Sequence, residues 1–385
     1  MALRVLHLVH WLNRGGIENW LVDLLRASDR TQLAMDVVCR GPHTGELAPL
    51  AEQAGAKVHL LPMGWNAWSF GRRLQTLIRE EGYEVLHVHA GSFVGYPCQV
   101  GKKAGVAVAS SFHNTHFPFE VRGMKSLLAG ARAAYTRRSF RVACDVSDAV
   151  TACSQAVMDA VTQLAGVTPD LRFSVIPYGS GKTPGINPAA RAAVRTELAI
   201  GSNTPLAIHT GIMRDQKNHV GLIRIADRIR QAVPDFRLIL AGDGALRPNI
   251  ESQIRELNLE QTVTLLGMRT DVERLLEASD LMLFPSRWEG LPVAVLEAQM
   301  KGLAVVGSDI GPLVEATAPI QRELLFPVEQ ESQMADAAVA LLRDEARRAS
   351  LAAALSQYAV DHFSIAANVR RHLELYRSIV SSSSV

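Results

Sequence analysis

Short apolar runs bounded by turn residues alternate with longer amphipathic stretches along nearly the whole chain, which reads as strands alternating with helices. One set of candidate strands covers 4–10, 34–39, 57–61, 85–89, 106–112 and 150–153, and a second covers 205–210, 237–241, 263–266, 281–284 and 304–307. That alternation predicts parallel sheets with helices on their faces, and the gap between the two sets predicts two of them. The stretch from Val175 to Gly185, rich in Pro, Gly and Ser, suits a linker. The expected fold class is therefore α/β, with two Rossmann-like domains facing a central cleft, the first over 1–176 and the second over 177–361. Each half opens alike, with a strand, a basic glycine-bearing loop and a helix: Trp11 to Glu18 in the first, Gly211 to His219 in the second. In open parallel sheets ligands bind beyond the carboxyl ends of the strands, so these loops are expected to line the cleft.

Composition narrows the choice. At 385 residues the chain exceeds one ordinary core. Its 48% apolar and 20% charged residues are those of a globular protein, and a net charge of +2 argues against a nucleic-acid partner. No run of eighteen apolar residues is present to span a membrane. The amino-terminal residues enter a strand pattern at once, with His7 and His10 following, unlike a signal peptide, so the expected location is the cytoplasm. Cys39, Cys98, Cys144 and Cys153 are scattered, with no C-x-x-C pair, and neither a disulfide nor a structural zinc is expected.

The most informative chemistry lies between Phe284 and Ala298. The run Leu281 to Phe284 ends in Pro285, passes through a polar loop to Gly290, and restarts as a helix with Pro292 in its first turn. A helix start presents unpaired backbone N–H groups and the positive end of a dipole, so it can hold a phosphate. Gly290 lets the backbone approach a ligand. Glu289 and Glu297 would repel an anion, and are better suited to accept hydrogen bonds from neutral hydroxyls. A sugar nucleotide supplies both features. This E-G-L-P followed by E-A, in E-x(7)-E spacing, resembles the signature of the retaining glycosyltransferases of family 4.

The resemblance implies the two-domain fold called GT-B, with the helix over 362–380 crossing back onto the first domain. It implies that Glu289 contacts hydroxyls of the transferred sugar, that Glu297 holds the nucleotide ribose, and that the backbone of Gly290 and Leu291 meets the diphosphate. Gly15 and Gly16 are similar to the family's first glycine loop. Gln216-Lys217-Asn218-His219 is similar to its Q-K-N-H, whose Lys, here Lys217, neutralises the diphosphate. Leu266 to Val272 resembles the loop against the nucleobase, where Met268 or Arg269 would read the base edge. Ser110 to His116 resembles the strand-end element whose His, here His113, lies beside the transferred sugar and completes the catalytic set with Glu289 and Lys217. The family commonly has Arg directly after the glycine of the second-domain opening, where this chain has Ile212, and Arg214 is the nearest replacement for a cation on the leaving group.

The donor implied is a nucleoside-diphosphate sugar and the acceptor a glycan or lipid-linked sugar, with no cofactor and no metal. The chain contains no D-x-D triplet. His87-x-His89 places two rings on one strand face and His113 could complete a metal site, but H-x-H occurs in the family without a metal. The stretch 122–141 carries Arg122, Lys125, Arg132, Arg137, Arg138 and Arg141 with Tyr135 and Phe140 interleaved, so it suits either a solvated helix face or contact with an anionic membrane at the inner face. Trp65, Trp68 and Phe70 suit either an acceptor contact or the core. Two other functions fit the same motifs: a non-catalytic sugar-nucleotide-binding subunit, favoured by Ile212, and a sugar-nucleotide epimerase. A nicotinamide oxidoreductase ranks last, for want of a full G-x-G-x-x-G.

Overall fold

The computed structural model describes residues 2–89, 91–117 and 126–382, with side chains of the last segment described from residue 130. The chain forms two compact units, Met1–Gly181 with Ile365–Val385, and Lys182–Ser364, so it crosses between them twice. The first unit holds β1 (Leu3–Val9), β2 (Leu33–Cys39), β3 (Val58–Leu60), β4 (Val85–Val88), β5 (Ala107–Phe112), β6 (Ala149–Ala152) and β7 (Phe173–Val175), in the parallel order β3-β2-β1-β4-β5-β6-β7. The second holds β8 (Leu206–Thr210), β9 (Arg237–Ala241), β10 (Val263–Gly267), β11 (Leu281–Phe284), β12 (Ala304–Ser308) and β13 (Leu325–Phe326), in the parallel order β10-β9-β8-β11-β12-β13. Both sheets are the expected doubly wound kind. Each reverses its order between a first and a fourth strand, β1 and β4 in one, β8 and β11 in the other. The crevice at such a switch point is where ligands bind in this architecture.

The edge strands β7 and β13 are additions to the expected set. They are three and two residues long and no more than half buried at most positions, so they lack the apolar run that marks β1 or β11. The inner strands β8, β11 and β12 are buried along their whole length, as strands covered by helices on both faces must be. Helix starts carry the expected caps: the Asn66 side chain accepts from Ser69 N–H, and Ser154 from Val157 N–H. At the exits of β8 and β9 the two backbones touch, with Gly211 N–H donating to Ala241 O at 3.0 Å, and a Cβ on Gly242 would fall 2.0 Å from Gly211 O. Only glycine closes that junction.

Two arrangements tie distant parts of each unit together. In the first, the helix Ile365–Ser382 returns to the sheet and buries Asn368, His372 and Tyr376 at four-residue spacing, with Trp20 Nε1–H donating to Asn368 Oδ1 at 2.9 Å. In the second, the buried Arg195 donates to the carbonyls of Ala278, Gly201, Ser202 and Thr204 and pairs with Asp280 Oδ2 at 3.0 Å. Asp280 Oδ2 also accepts from Leu206 N–H at 2.8 Å, which fixes the entry of β8 against that of β11.

Candidate functional site

At the switch point of the second unit, the loop after β8 turns through a short 3-10 helix, Asp215–Lys217, into Asn218 at φ 51°, then into the helix His219–Ala232. Asn is among the few side chains that tolerate this left-handed backbone, and its own carbonyl caps the helix by accepting from Gly221 N–H. The turn aims Lys217 at the loop after β11. Lys217 Nζ donates to Glu289 Oε1 at 2.7 Å and lies 4.6 Å from the centroid of the Phe284 ring. Gln216 Nε2 donates to Glu289 Oε2 at 3.1 Å, so both carboxylate oxygens are held. Glu289 is 5% exposed, and an ion pair this dry with a ring on one side of the cation is far stronger than one in water. The two loops are also laced by Arg287, whose N–H donates to Gln216 O at 2.8 Å and whose guanidinium donates to Asn218 Oδ1 at 3.2 Å.

Directly after Glu289 come Gly290, the buried Leu291, and Pro292, which stands at the N-cap of the helix Val293–Met300. That helix start has no capping side chain and no acid in its first turn, leaving its positive end for an anion. Glu297, farther along, lies 3.5 Å from Lys182 Nζ. Arg214 is exposed at the N-cap of the 3-10 helix, whereas Met213 between it and Ile212 is fully buried. Met268 is 49% exposed just past β10. Arg269 is committed to Asp271 at 2.7 Å and Glu197 at 3.0 Å, and those hydrogen bonds raise its pKa. Lys217, Glu289, Gly290 and Leu291 are thus brought together at one strand end. Gln216 and Lys182 partner the two glutamates and were not expected. Gln216 has a signal in its place beside Lys217; Lys182 has none, because its partner is 115 residues away.

The first unit has a different centre at its switch point. Gly15 caps the helix Gly16–Ala27 with extended backbone, and a Cβ there would fall 2.3 Å from Glu18 Oε2. His113, just past β5, is half buried, and both of its ring nitrogens are engaged. His113 is the third ring that the H-x-H pattern suggests for a trio with His87 and His89, but β1 and β4 pair in register at His7 and His87, so His7, His87 and His89 form the tight cluster. A proton count fixes the tautomers of His7, His89 and His113. Met35 Sδ can only accept, so His7 donates to it from Nε2 at 3.3 Å and accepts at Nδ1 from His89 Nε2–H at 2.9 Å. His89 Nδ1 then accepts from His113 Nε2–H at 2.9 Å, and His113 Nδ1 accepts from the Tyr178 hydroxyl at 2.6 Å. His87 Nδ1 is hydrogen-bonded to the Tyr376 hydroxyl at 2.6 Å and its Nε2 to the Ser111 hydroxyl at 2.6 Å, which bonds Thr151 in turn. Every ring nitrogen of the trio and of His113 is engaged in this network. Burial pushes His7 and His113 down to about 3 and holds His87 and His89 well below the usual imidazole value, so the cluster is neutral.

The other expectations fall in the first unit as follows. Phe70 is core, while Trp65 and Trp68 are exposed and Arg72 lies 3.8 Å over the Trp68 ring. Arg122 and Lys125 lie outside the described residues; Arg132, Arg137, Arg138 and Arg141 are exposed on the helix Ser126–Val146, and Phe140 is buried. All four cysteines are free and buried. No helix among the described residues is long and apolar enough to cross a membrane.

Comparison with known proteins matches this geometry. Residues 14–179 match the model described as Glycosyltransferase Family 4, and residues 190–360 match Glycosyl transferases group 1. The chain is 28% identical over 320 residues to the putative glycosyltransferase EpsF of Bacillus subtilis, covering 80% of this chain and 79% of that one. It is 27% identical over 252 residues to the UDP-Gal:alpha-D-GlcNAc-diphosphoundecaprenol alpha-1,3-galactosyltransferase of Escherichia coli, covering 62% of this chain and 60% of that one. Among solved structures, Anabaena HepE in complex with UDP and glucose superposes with a TM-score of 0.81 at 20% identity over 98% of this chain and all of that one. The sucrose-phosphate synthase of Thermosynechococcus elongatus does so with 0.77 at 18% identity over 99% and 100%. These two show the fold. With one glycosyltransferase model on each Rossmann-like unit and the lysine–glutamate pair at the second switch point, the chain belongs to the family 4 glycosyltransferases and has their GT-B architecture.

Proposed function

We propose that this enzyme moves a hexose from a nucleoside-diphosphate sugar to a glycan or lipid-linked acceptor, with retention and without a metal. The observation that carries the reading is the buried Lys217–Glu289 pair beside the uncapped start of the helix Val293–Met300. An ammonium has three N–H donors; one holds Glu289, and the others are available to the diphosphate as it departs. The backbone at the helix start adds partial positive charge at the same place. Glu289, held on both oxygens, retains lone pairs for sugar hydroxyls, and Glu297 does the same for the ribose. The acceptor hydroxyl oxygen bonds to the anomeric carbon as the bond to the phosphate oxygen breaks, and the leaving diphosphate takes the proton. A uridine donor is supported by the UDP in the HepE complex and by the UDP-galactose in the name of the E. coli relative. His113 serves through the position of its ring and backbone, since both nitrogens are hydrogen-bonded and the ring is neutral.

Incubation with uridine, guanosine and adenosine diphosphate sugars, with and without chelator, tests this. Release of one nucleoside diphosphate that survives chelation is expected, with a loss of about 100- to 1,000-fold in Lys217→Ala and in Glu289→Ala. A second reading, a donor-binding subunit, is favoured by Ile212 where the family has Arg and by the exposure of Arg214. Tight UDP binding without turnover, with glycan and lipid acceptors supplied, would establish that reading instead; an isomerised sugar would mark an epimerase.

A further inference from the structure

The loops leaving β1 and β2 are locked together. Gly41 N–H donates to His10 O at 2.7 Å, Leu12 N–H to Thr44 O at 2.6 Å, and Leu47 N–H to Leu12 O at 2.8 Å. Gly45, at φ 101°, brings its backbone so close to Leu12 that a Cβ would fall 2.4 Å from Leu12 C. Met63 N–H, in the loop after β3, adds a bond to Arg40 O at 3.0 Å. Three strand exits therefore hold the Arg40 backbone in place, and its side chain reaches Phe93 in the loop after β4.

Among the described residues, Arg40 has no counter-ion. Its guanidinium lies 5.4 Å from the centroid of the Phe93 ring, and its buried Nε has no hydrogen-bond partner. Glu46, the carboxylate in the described loop after β2, is paired with Arg14 at 3.0 Å. Burial lowers its pKa and Tyr135, on the helix Ser126–Val146, opposes that, while Arg40 and His43 add to the burial that lowers the pKa of His10. His10 and His43 flank Trp11, with ring centroids 4.3 Å and 5.3 Å from its own. A desolvated cation with no anion beside it costs free energy, and further basic groups around it increase that cost. A bound oxyanion removes it, and the planar fork of a guanidinium fits phosphate best.

We infer that Arg40, with His10 and His43 beside it, is the anion-reading part of the acceptor site, and that the acceptor carries a phosphate or diphosphate group. The inference rests on the transferase reading for the word acceptor; the anion site itself does not depend on it. Its chemistry differs from that of the donor site, which holds a carboxylate against its lysine. Here no carboxylate among the described residues pairs with the arginine, so the acceptor's own anion completes the site.

Equilibrium binding of hexose 1-phosphate, farnesyl diphosphate and an uncharged alkyl glucoside to the full chain tests it, alongside UDP. At least one phosphate probe is expected to bind and the glucoside not. Arg40→Gln should weaken that probe about 30-fold and leave UDP binding within about twofold, because a hydrogen-bonded charge pair is lost at one site only. Lys217→Ala should do the reverse. His43 is exposed, so His43→Gln tests the site with no risk to the core, and a loss of roughly threefold is expected. Binding of hexose 1-phosphate identifies a free sugar phosphate as the source; binding of farnesyl diphosphate alone identifies a lipid carrier. The inference is overturned if neither phosphate probe binds, or if their binding is lost in Lys217→Ala and kept in Arg40→Gln. Arg40-dependent binding in a protein that releases no nucleoside diphosphate would sink the transferase reading and keep this site.

Discussion

The two sheets have the same strand order and place their polar centres at the same topological point, yet the centres are opposites in charge. In the first unit, four buried histidines, His7, His87, His89 and His372, and the half-buried His113 are held neutral and linked by hydroxyls and a thioether. In the second, ionised groups are buried in pairs beside the neutral ones: Lys217 with Glu289, Arg195 with Asp280, and Lys301, whose side chain is 0% exposed, with Glu273 and Glu277. Neutral networks order a core without attracting a charged ligand, whereas a lysine held by a single carboxylate keeps donors for one. The same switch point therefore carries a neutral network in one unit and an ion pair in the other.

The contrast can be broken most sharply at Arg195. Arg195→Leu leaves four carbonyls without their donor and removes one of the two arginines on Asp280, Arg191 remaining, and is expected to destabilise the second unit by about 2–4 kcal/mol while the first is unaffected. Urea unfolding read by hydrogen exchange on peptides of each unit checks this, and equal losses in both units would end the claim of separate frameworks. A pH change acts the other way. The folded pKa values of the buried histidines lie below the unfolded 6.5, so the unfolded state binds more protons; their stability is complete above pH 6.5 and is lost as pH falls toward about 3. Each linked histidine contributes up to about 1.4 kcal/mol per pH unit in that window. Five such groups lie in the first unit and two, His209 and His219, in the second, while Glu273, which burial pushes up but Lys301 and Thr183 bring down to about 2, keeps its charge to lower pH. The first unit should therefore lose protection more steeply between pH 7.5 and 5, after correction for intrinsic exchange. The smallest effect is Tyr376→Phe, which removes the hydroxyl bonded to His87 Nδ1 and should cost about 1–2 kcal/mol. No change in the midpoint of the first unit would contradict a hydrogen bond there.

Much of this architecture is legible along the chain because it is local. The apolar runs of β8, β11 and β12, the glycine junction at Gly211 and Gly242, and the E-x(7)-E spacing are written in consecutive residues. Pairings across long separations are not. His7 meets His87 only because β1 lies beside β4, and the H-x-H pattern by itself pointed to His113 as the third ring. Asn368, His372 and Tyr376 read as an ordinary polar helix until the sheet they cover is known. Lys217 and Glu289 were each legible, the first for a diphosphate and the second for a sugar, but their direct contact follows from the left-handed turn at Asn218, which no pattern of apolar residues encodes. Arg195 shows the same limit: its carbonyl partners carry no side-chain signature at all.

The double crossing between the units has a consequence for how the protein is made. The partners of Trp20 and His87, namely Asn368 and Tyr376, leave the ribosome only after the whole of Lys182–Ser364. Domains fold as units during synthesis. The second unit can thus close while the first, although begun earlier, still waits for the helix that covers its histidines. Vectorial synthesis makes the earlier-translated unit the later one to finish, and for that interval its nascent sheet is the part of the chain that a chaperone has to shield.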